Sequence, residues 1–182
     1  MAEILLGVTG GAAAFKAVSL ASILRKSGHS VRCILTGSAS NFITSTQLSA
    51  VSGSPCYTDL FPSPPSASIP HLDLTDNLDL MIVAPATANF LARSAHGLAD
   101  DLLTSSFLAC NAPVLMAPAM NTRMWDNQAV QANVKILSSR GIRFAGPVQG
   151  ILACGTVGNG RMMEPIDIAV VCSDLLEIRG PR

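Results

Sequence analysis

Pro118-Ala119-Met120-Asn121-Thr122-Arg123-Met124-Trp125 sets an amide, a methionine pair and the chain's single tryptophan within eight residues. The stretch follows Val114-Leu115-Met116-Ala117, a continuous apolar run ended by proline that reads as a short buried strand. The carboxyl end of such a strand is where open α/β sheets bind ligands. An asparagine there offers both donor and acceptor. Two further residues could carry protons. His71, in Pro70-His71-Leu72-Asp73-Leu74, follows a proline-rich stretch, and an imidazole titrates near neutrality. Cys154 lies between Ala153 and Gly155 in a glycine-rich late segment, a poor place for a core thiol.

Gly7-Val8-Thr9-Gly10-Gly11-Ala12-Ala13-Ala14 follows a first apolar run and opens a first helical pattern. Small residues there let backbone approach a phosphate, and helix-start N–H groups carry the partial positive charge that binds it. Glycine in a tight turn is required whatever the ligand, so the turn alone decides little. The full G-x-G-x-x-G is absent, and the second strand ends Leu35-Thr36-Gly37-Ser38 without the carboxylate that holds an adenosine ribose. Hydroxyls suit a mononucleotide phosphate, so the two strand ends together favour FMN over NAD.

The elements that must position these groups alternate. Residues 3–8, 31–35, 79–84, 114–117 and 142–144 read as strands. Between the first two, Ala17, Leu20, Ala21 and Leu24 keep helical spacing until Gly28; Val130, Val134 and Leu137 do so until Gly141. Strand–helix alternation predicts βαβ units with right-handed crossovers, hence an α/β, doubly wound parallel sheet of Rossmann or flavodoxin type in a single domain. Residues 54–70, rich in proline and serine, are too irregular for a helix or central strand, and residues 147–165 read as a long glycine-rich loop. Long loops in compact domains are often lids or binding loops. His29 reads as a solvated turn residue, and His96 sits near a helix end.

Hydrophobic residues make up 49% of the 182 and charged ones 13%, against a usual charged share of about 25%. So few charges leave apolar surface for extensive subunit interfaces. Twelve basic residues balance twelve acidic ones, giving no basic patch for nucleic acid. No apolar run reaches the length of a membrane span, and the first residues lack the basic region of a signal peptide. Five irregularly spaced cysteines without C-x-x-C fit reduced thiols in a cytoplasmic protein, most of them buried, and no metal site.

The 118–125 stretch resembles the signature of the homo-oligomeric flavin-containing cysteine decarboxylases. Pro85-Ala86-Thr87-Ala88-Asn89-Phe90 resembles that family's second signature, proline-alanine-serine-alanine-asparagine-threonine; Thr87 keeps the serine hydroxyl and Phe90 loses the last one. The surroundings of His71 match those of the family's active-site histidine. Ala153 to Met162 resembles its substrate-covering clamp, most closely that of the phosphopantothenoylcysteine decarboxylases. The likeness runs from Ile4 to about Pro165 through four motifs in order, implying one flavoprotein domain over residues 1–182.

The resemblance implies FMN held by Gly10, Gly11, Ala12, Thr36, Ser38, Phe42, Thr87, Ala88, Asn89 and Ala119. It implies a substrate ending in cysteine, met by Asn121, Met124, Cys154, Gly155, Arg161 and Met162. His71 would manage a proton, Asn121 would hold the substrate's carboxylate and amide, and Cys154 would return a proton that completes the reaction. Oxidation of the side chain to a thioaldehyde would set C=S beta to the carboxylate and make loss of CO2 feasible. A homo-oligomer built on trimers, up to a dodecamer, is implied, with flavin near the subunit boundary.

Two substrates fit. Cys154 favours 4'-phospho-N-pantothenoylcysteine, giving 4'-phosphopantetheine for coenzyme A. A sequence ending at Arg182, without the synthetase domain often fused to that decarboxylase, leans toward a peptidyl-cysteine decarboxylase that stops at the enethiol. A phosphatase-inhibiting regulator would carry a long acidic tail, and a flavin prenyltransferase would lack His71 with Met-Asn-x-x-Met-Trp.

Overall fold

Alternate residues of the central strands go to opposite faces, and both faces are covered. In the computed structural model, which describes residues 1–62, 69–151, 155 and 157–179, β1 (Glu3–Val8) sends Ile4, Leu6 and Val8 to one core and Leu5 to the other. β4 (Leu80–Ala86) and β5 (Val114–Pro118) do the same, Ile82 and Leu115 one way, Met81 and Met116 the other. Strands buried on both sides read as unbroken apolar runs, which is how the sequence announces them.

The sheet order is β3-β2-β1-β4-β5-β6, all parallel, with β2 (Ser30–Leu35), β3 (Cys56–Tyr57) and β6 (Arg143–Phe144) completing it. This is the doubly wound order with its switch point between β1 and β4. Helices α1 (Phe15–Lys26) and α2 (Ser45–Ser52) pack on the first face with α8 (Pro165–Arg179). The second face takes α3 (Pro70–Asp73), α4 (Ala88–His96), α5 (Leu102–Ala109) and α7 (Gln128–Ser139), while α6 (Thr122–Trp125) is a single turn after β5. The helical stripes hold: Ala17, Leu20, Ala21 and Leu24 are buried, and Gly28 and Gly141 end their helices at positive φ.

The structure departs from the sequence reading in several places. Residues 147–165 are not one loop. β7 (Val148–Ile151) and β8 (Val157–Arg161) form an antiparallel hairpin, hidden from pattern reading because its glycines carry no apolar alternation. Within 54–70, Cys56–Tyr57 adds an edge strand and Pro70 starts α3 at a position where proline's missing N–H costs nothing. β4 runs through Pro85 to Ala86 across a register shift, which accommodates a proline a regular ladder would reject. Gly7 serves packing: a Cβ there would overlap Leu103 of α5. His29, between α1 and β2 as read, is half-buried, with Nδ1 lacking a partner and its pKa lowered by burial.

Candidate functional site

Two crossovers leave the sheet in opposite directions at the carboxyl ends of β1 and β4, and the turns there are locked together. Thr9, buried, donates its hydroxyl to the carbonyl of Pro85 at 2.6 Å and accepts the N–H of Thr87 at 3.2 Å. Thr87 in turn caps α4, accepting from the N–H of Phe90. On the other side of the switch point, Gly10 lies so close to Ser38 that a Cβ would come within 2.6 Å of its backbone. Glycine here permits close approach of two strand-end turns.

Above these turns opens a cavity of about 630 Å³, within the range of small-molecule sites. Gly10, Gly11 and Ala12 line one part of it, with Thr87 and Ala88 beside them. Ala119, Met120 and Asn121, from the turn after β5, and Met124 of α6 line another. Asn121 caps α6, its Oδ1 accepting the Arg123 N–H at 2.9 Å, which fixes the amide's orientation. The hairpin closes a further side through Ile151, Gly160, Arg161 and Met162.

The hairpin reaches this place through its glycines. A Cβ on Gly158 would overlap the Thr122 hydroxyl, and one on Gly160, at φ +132°, would overlap the carbonyl oxygen of Met120. In their absence the Met120 N–H donates to the Gly160 carbonyl at 2.9 Å. Behind the return strand, Lys16 Nζ donates to the Met162 carbonyl at 3.2 Å and to Glu164 Oε1 at 2.8 Å, and Arg161 pairs with that same oxygen. The Lys16 hydrogen bond, reinforced by the charges of Lys16 and Arg161, holds the Glu164 carboxyl below its ordinary pKa.

Six of the ten expected cofactor residues, Gly10, Gly11, Ala12, Thr87, Ala88 and Ala119, share this cavity with Asn121, Met124, Arg161 and Met162. Thr36 and Ser38, their hydroxyls 3.3 Å apart just after β2, do not line its wall, and neither do the exposed Phe42 and Asn89. Gly155 is exposed at φ +82° and does not line it, and Cys154 lies outside the described residues. His71 stands in the first turn of α3, half-buried, with Nδ1 buried and unpartnered and no place on the cavity wall. His71 does not line the cavity that Asn121 lines. Thr9, Lys16 and Glu164 escaped the sequence reading. A threonine beside a glycine turn, or a lysine one helical turn beyond Ala12, carries no signal until the folded strands supply its partners.

The family model described as Flavoprotein matches residues 1–176. This chain belongs to the flavoprotein family. It is similar to the coenzyme A biosynthesis bifunctional protein CoaBC of Bacillus subtilis (46% identity over 166 residues, 91% of this chain and 41% of the relative). The protein of the same description from Vibrio vulnificus is 43% identical over 175 residues, 96% of this chain and 44% of the relative. The chain thus spans less than half the length of these curated relatives. Among solved structures, SpaF, described as an FMN-dependent cysteine decarboxylase, superposes with a TM-score of 0.80 at 31% identity over 96% of this chain and 98% of that one. A PPC decarboxylase carrying a cysteine-to-serine mutation, complexed with pantothenoylaminoethenethiol, gives 0.84 at 29% identity over 97% and 98%.

The residues present suit a phosphate-bearing flavin of this family. The glycine turn leaves room for close approach, the described wall contains no carboxylate, and its two ionisable side chains, Lys16 and Arg161, are cations. Three other thiols are poor nucleophiles: burial pushes Cys33 and Cys172 up to about 12 and Cys56 to about 11. Among the described residues, no helix is long and apolar enough to cross a membrane and no cluster could hold a metal ion.

Proposed function

We propose that this chain is an FMN-dependent decarboxylase of a substrate ending in cysteine, most simply 4'-phospho-N-pantothenoylcysteine, which it converts to 4'-phosphopantetheine in the cytoplasm. The observation that carries the reading is the single cavity that gathers the strand-end turns at Gly10–Ala12 and Thr87–Ala88, the Asn121–Met124 turn and the return strand of the hairpin. Identity of 43–46% to the CoaBC proteins supports the small-molecule substrate.

FMN, when bound, would supply the hydride acceptor that oxidises the cysteine side chain to a thioaldehyde, whose C=S takes up the electron pair left by CO2. The protein's own residues do the rest. Gly10, Gly11, Ala12, Thr87, Ala88 and Ala119 would hold the flavin, with Thr36, Ser38, Phe42 and Asn89 around the rim. Asn121, its amide fixed by the Arg123 N–H, would hold the substrate's carboxylate beside Met124. The hairpin, anchored through Gly160 and Met162, would exclude water from above. Cys154 would return the proton that restores the saturated product.

His71 would act on a site in a second copy, within a trimer or a dodecamer built of trimers. Its absence from the cavity wall supports this, as do the exposed large hydrophobes next to it in the chain, Ile69 and Leu72. A histidine framed by uncovered large hydrophobes is what an interface residue looks like before assembly.

The second reading, a peptidyl-cysteine decarboxylase, is supported by the likeness to SpaF over nearly that protein's whole length. Anaerobic turnover with mass detection separates the two. The small-molecule reading expects a mass loss of CO2 alone without an electron acceptor, and Cys154→Ser releasing an enethiol lighter by two further hydrogens. A wild-type protein that yields the enethiol and needs oxygen to recycle would overturn it and promote the peptide reading.

A further inference from the structure

Two of the described cysteines are neighbours in the sheet. The parallel ladder between β2 and β3 sets Cys33 opposite Cys56 and Ile34 opposite Tyr57. Residues paired in this way send their side chains to the same face. Cys33 is buried in the first core and Cys56 packs against that core, so both thiols lie on the side covered by α1 and α2. Neighbouring strands run about 4.8 Å apart, and disulfides span Cα separations of about 4.4–6.8 Å. The backbone therefore stands within reach of a cross-link, while both thiols are free. Cys110 and Cys172 lie outside the ladders, the first just after α5 and the second within α8.

The two partners differ in access. Cys33 belongs to β2, between β1 and β3, and has no exposed surface. Cys56 is half-buried on a two-residue edge strand, its N–H donating to the Ser49 hydroxyl of α2 at 2.9 Å. An outer thiol that a small oxidant reaches, in front of an inner one that it does not, is the arrangement of an attacking and a resolving cysteine. A strand of two residues, bonded to the sheet on one side only, can shift to meet the Cβ geometry of the bond. Burial holds Cys56 at about 11 and Cys33 at about 12, so exchange is slow at neutral pH and the reduced pair persists until oxidant is sustained.

We propose that Cys33 and Cys56 form a reversible disulfide that fastens the edge strand to the sheet, a modification site separate from the cavity of the strand-end turns. The oxidant is a low-molecular-weight disulfide of the glutathione class. Cys56, as thiolate, attacks it, forming a mixed disulfide and releasing one small thiol. Cys33 then gives up its proton, attacks the Cys56 sulfur and releases the second. Two protein thiols lose two electrons and two protons, and one external disulfide becomes two thiols. The fastened strand adjoins the helix of His71: Cys56 and Tyr57 share a second cavity, of about 410 Å³, with Pro70 and Asp73 of α3.

The test takes the full chain as purified, under native conditions, through buffers of fixed glutathione to glutathione-disulfide ratio until no further change occurs. Free thiols are then trapped by alkylation in denaturant. Intact mass should show a loss of two hydrogens without added glutathione, peptide mapping should place the bond between residues 33 and 56, and dithiothreitol should reverse it. Cys33→Val and Cys56→Val should each lack the cross-link, with Cys33→Val stopping at a mixed disulfide on Cys56. Because the bond closes a loop in the unfolded chain, the urea midpoint of oxidised wild type should lie above that of the reduced protein, a difference absent from both variants. Mixed disulfides alone, a bond to any other cysteine, or an oxidised form with an unchanged or lower midpoint would overturn the proposal.

Discussion

The Met120 N–H donates to the carbonyl of Gly160 at 2.9 Å, and a Cβ on Gly160 would overlap the Met120 carbonyl oxygen. One hydrogen bond and one missing side chain thus help join the turn after β5 to the hairpin, whose described strands form a sheet of two separate from the central one. The residues that line the cavity from below and those that cover it are registered to each other by backbone.

This contact predicts the effect of Gly160→Ala. At φ +132° alanine is strained by about 1–3 kcal/mol even before the overlap with Met120, so the cheapest relief is for the hairpin to lift away. Hydrogen exchange should speed up selectively in residues 148–161, with the sheet amides little changed. Substrate KM should rise several-fold while FMN stays bound. Uniform acceleration across the sheet would instead mean that the hairpin is integral to the core.

Thr9 gives a second prediction. Its buried hydroxyl bonds both the Pro85 carbonyl and the Thr87 N–H. Thr9→Val leaves the shape and strands both backbone groups, a loss of about 1–3 kcal/mol. Thr9→Ser should recover most of it. Because Thr87 lines the cavity and caps α4, the valine variant should also bind FMN more weakly. A denaturant midpoint and a flavin titration on the same samples check both halves.

Much of this was legible in the sequence because strands buried on two faces leave unbroken apolar runs, and the helices between them keep their spacing. Val114–Ala117 and its proline needed no partner to be recognised. The hairpin was not legible: Gly150, Gly158 and Gly160 are there for what they do not collide with, namely Arg161, Thr122 and Met120, and a pattern of side chains cannot show that. Asn121 and Met124 were found because a rare combination of residue types marked them. Lys16 and Glu164 were missed because they lie 148 positions apart and acquire meaning only as a pair. His71 was singled out by its surroundings, yet its place off the cavity wall is a property of the assembled fold.

Buried thiols set a pH limit. The Cys172 thiol, pushed from 9.0 up to about 12 by burial, stays protonated in the folded chain after its unfolded counterpart has ionised. Above about pH 9 the unfolded state therefore binds fewer protons, and stability falls as pH rises, by about 1.4 kcal/mol per pH unit for each such thiol. Cys33 behaves the same way. Cys172→Ala should be less stable at neutral pH, having lost packing, but its stability should decline less steeply between about pH 9 and pH 11. Urea unfolding at several pH values reads the slopes directly. Parallel slopes for the two proteins would show that Cys172 does not govern the alkaline limb.

The separation of His71 from the cavity containing Asn121 makes a subunit-mixing experiment decisive. His71→Asn should abolish turnover while leaving FMN bound, because the imidazole handles a proton and does not hold the cofactor. Asn121→Asp should abolish it for a different reason: a second carboxylate would face the substrate's own at short range and raise the cost of binding it. If each site takes Asn121 from one copy and His71 from its neighbour, neither inactive variant can build a working site alone, but a mixture can. Random assembly of equal amounts, by co-expression or by dissociation and reassembly, places an intact Asn121 opposite an intact His71 in about one quarter of sites. Activity per bound flavin should therefore recover to about a quarter of wild type. If His71 served the cavity of its own chain, every site would carry one lesion and the mixture would remain as inactive as its parts.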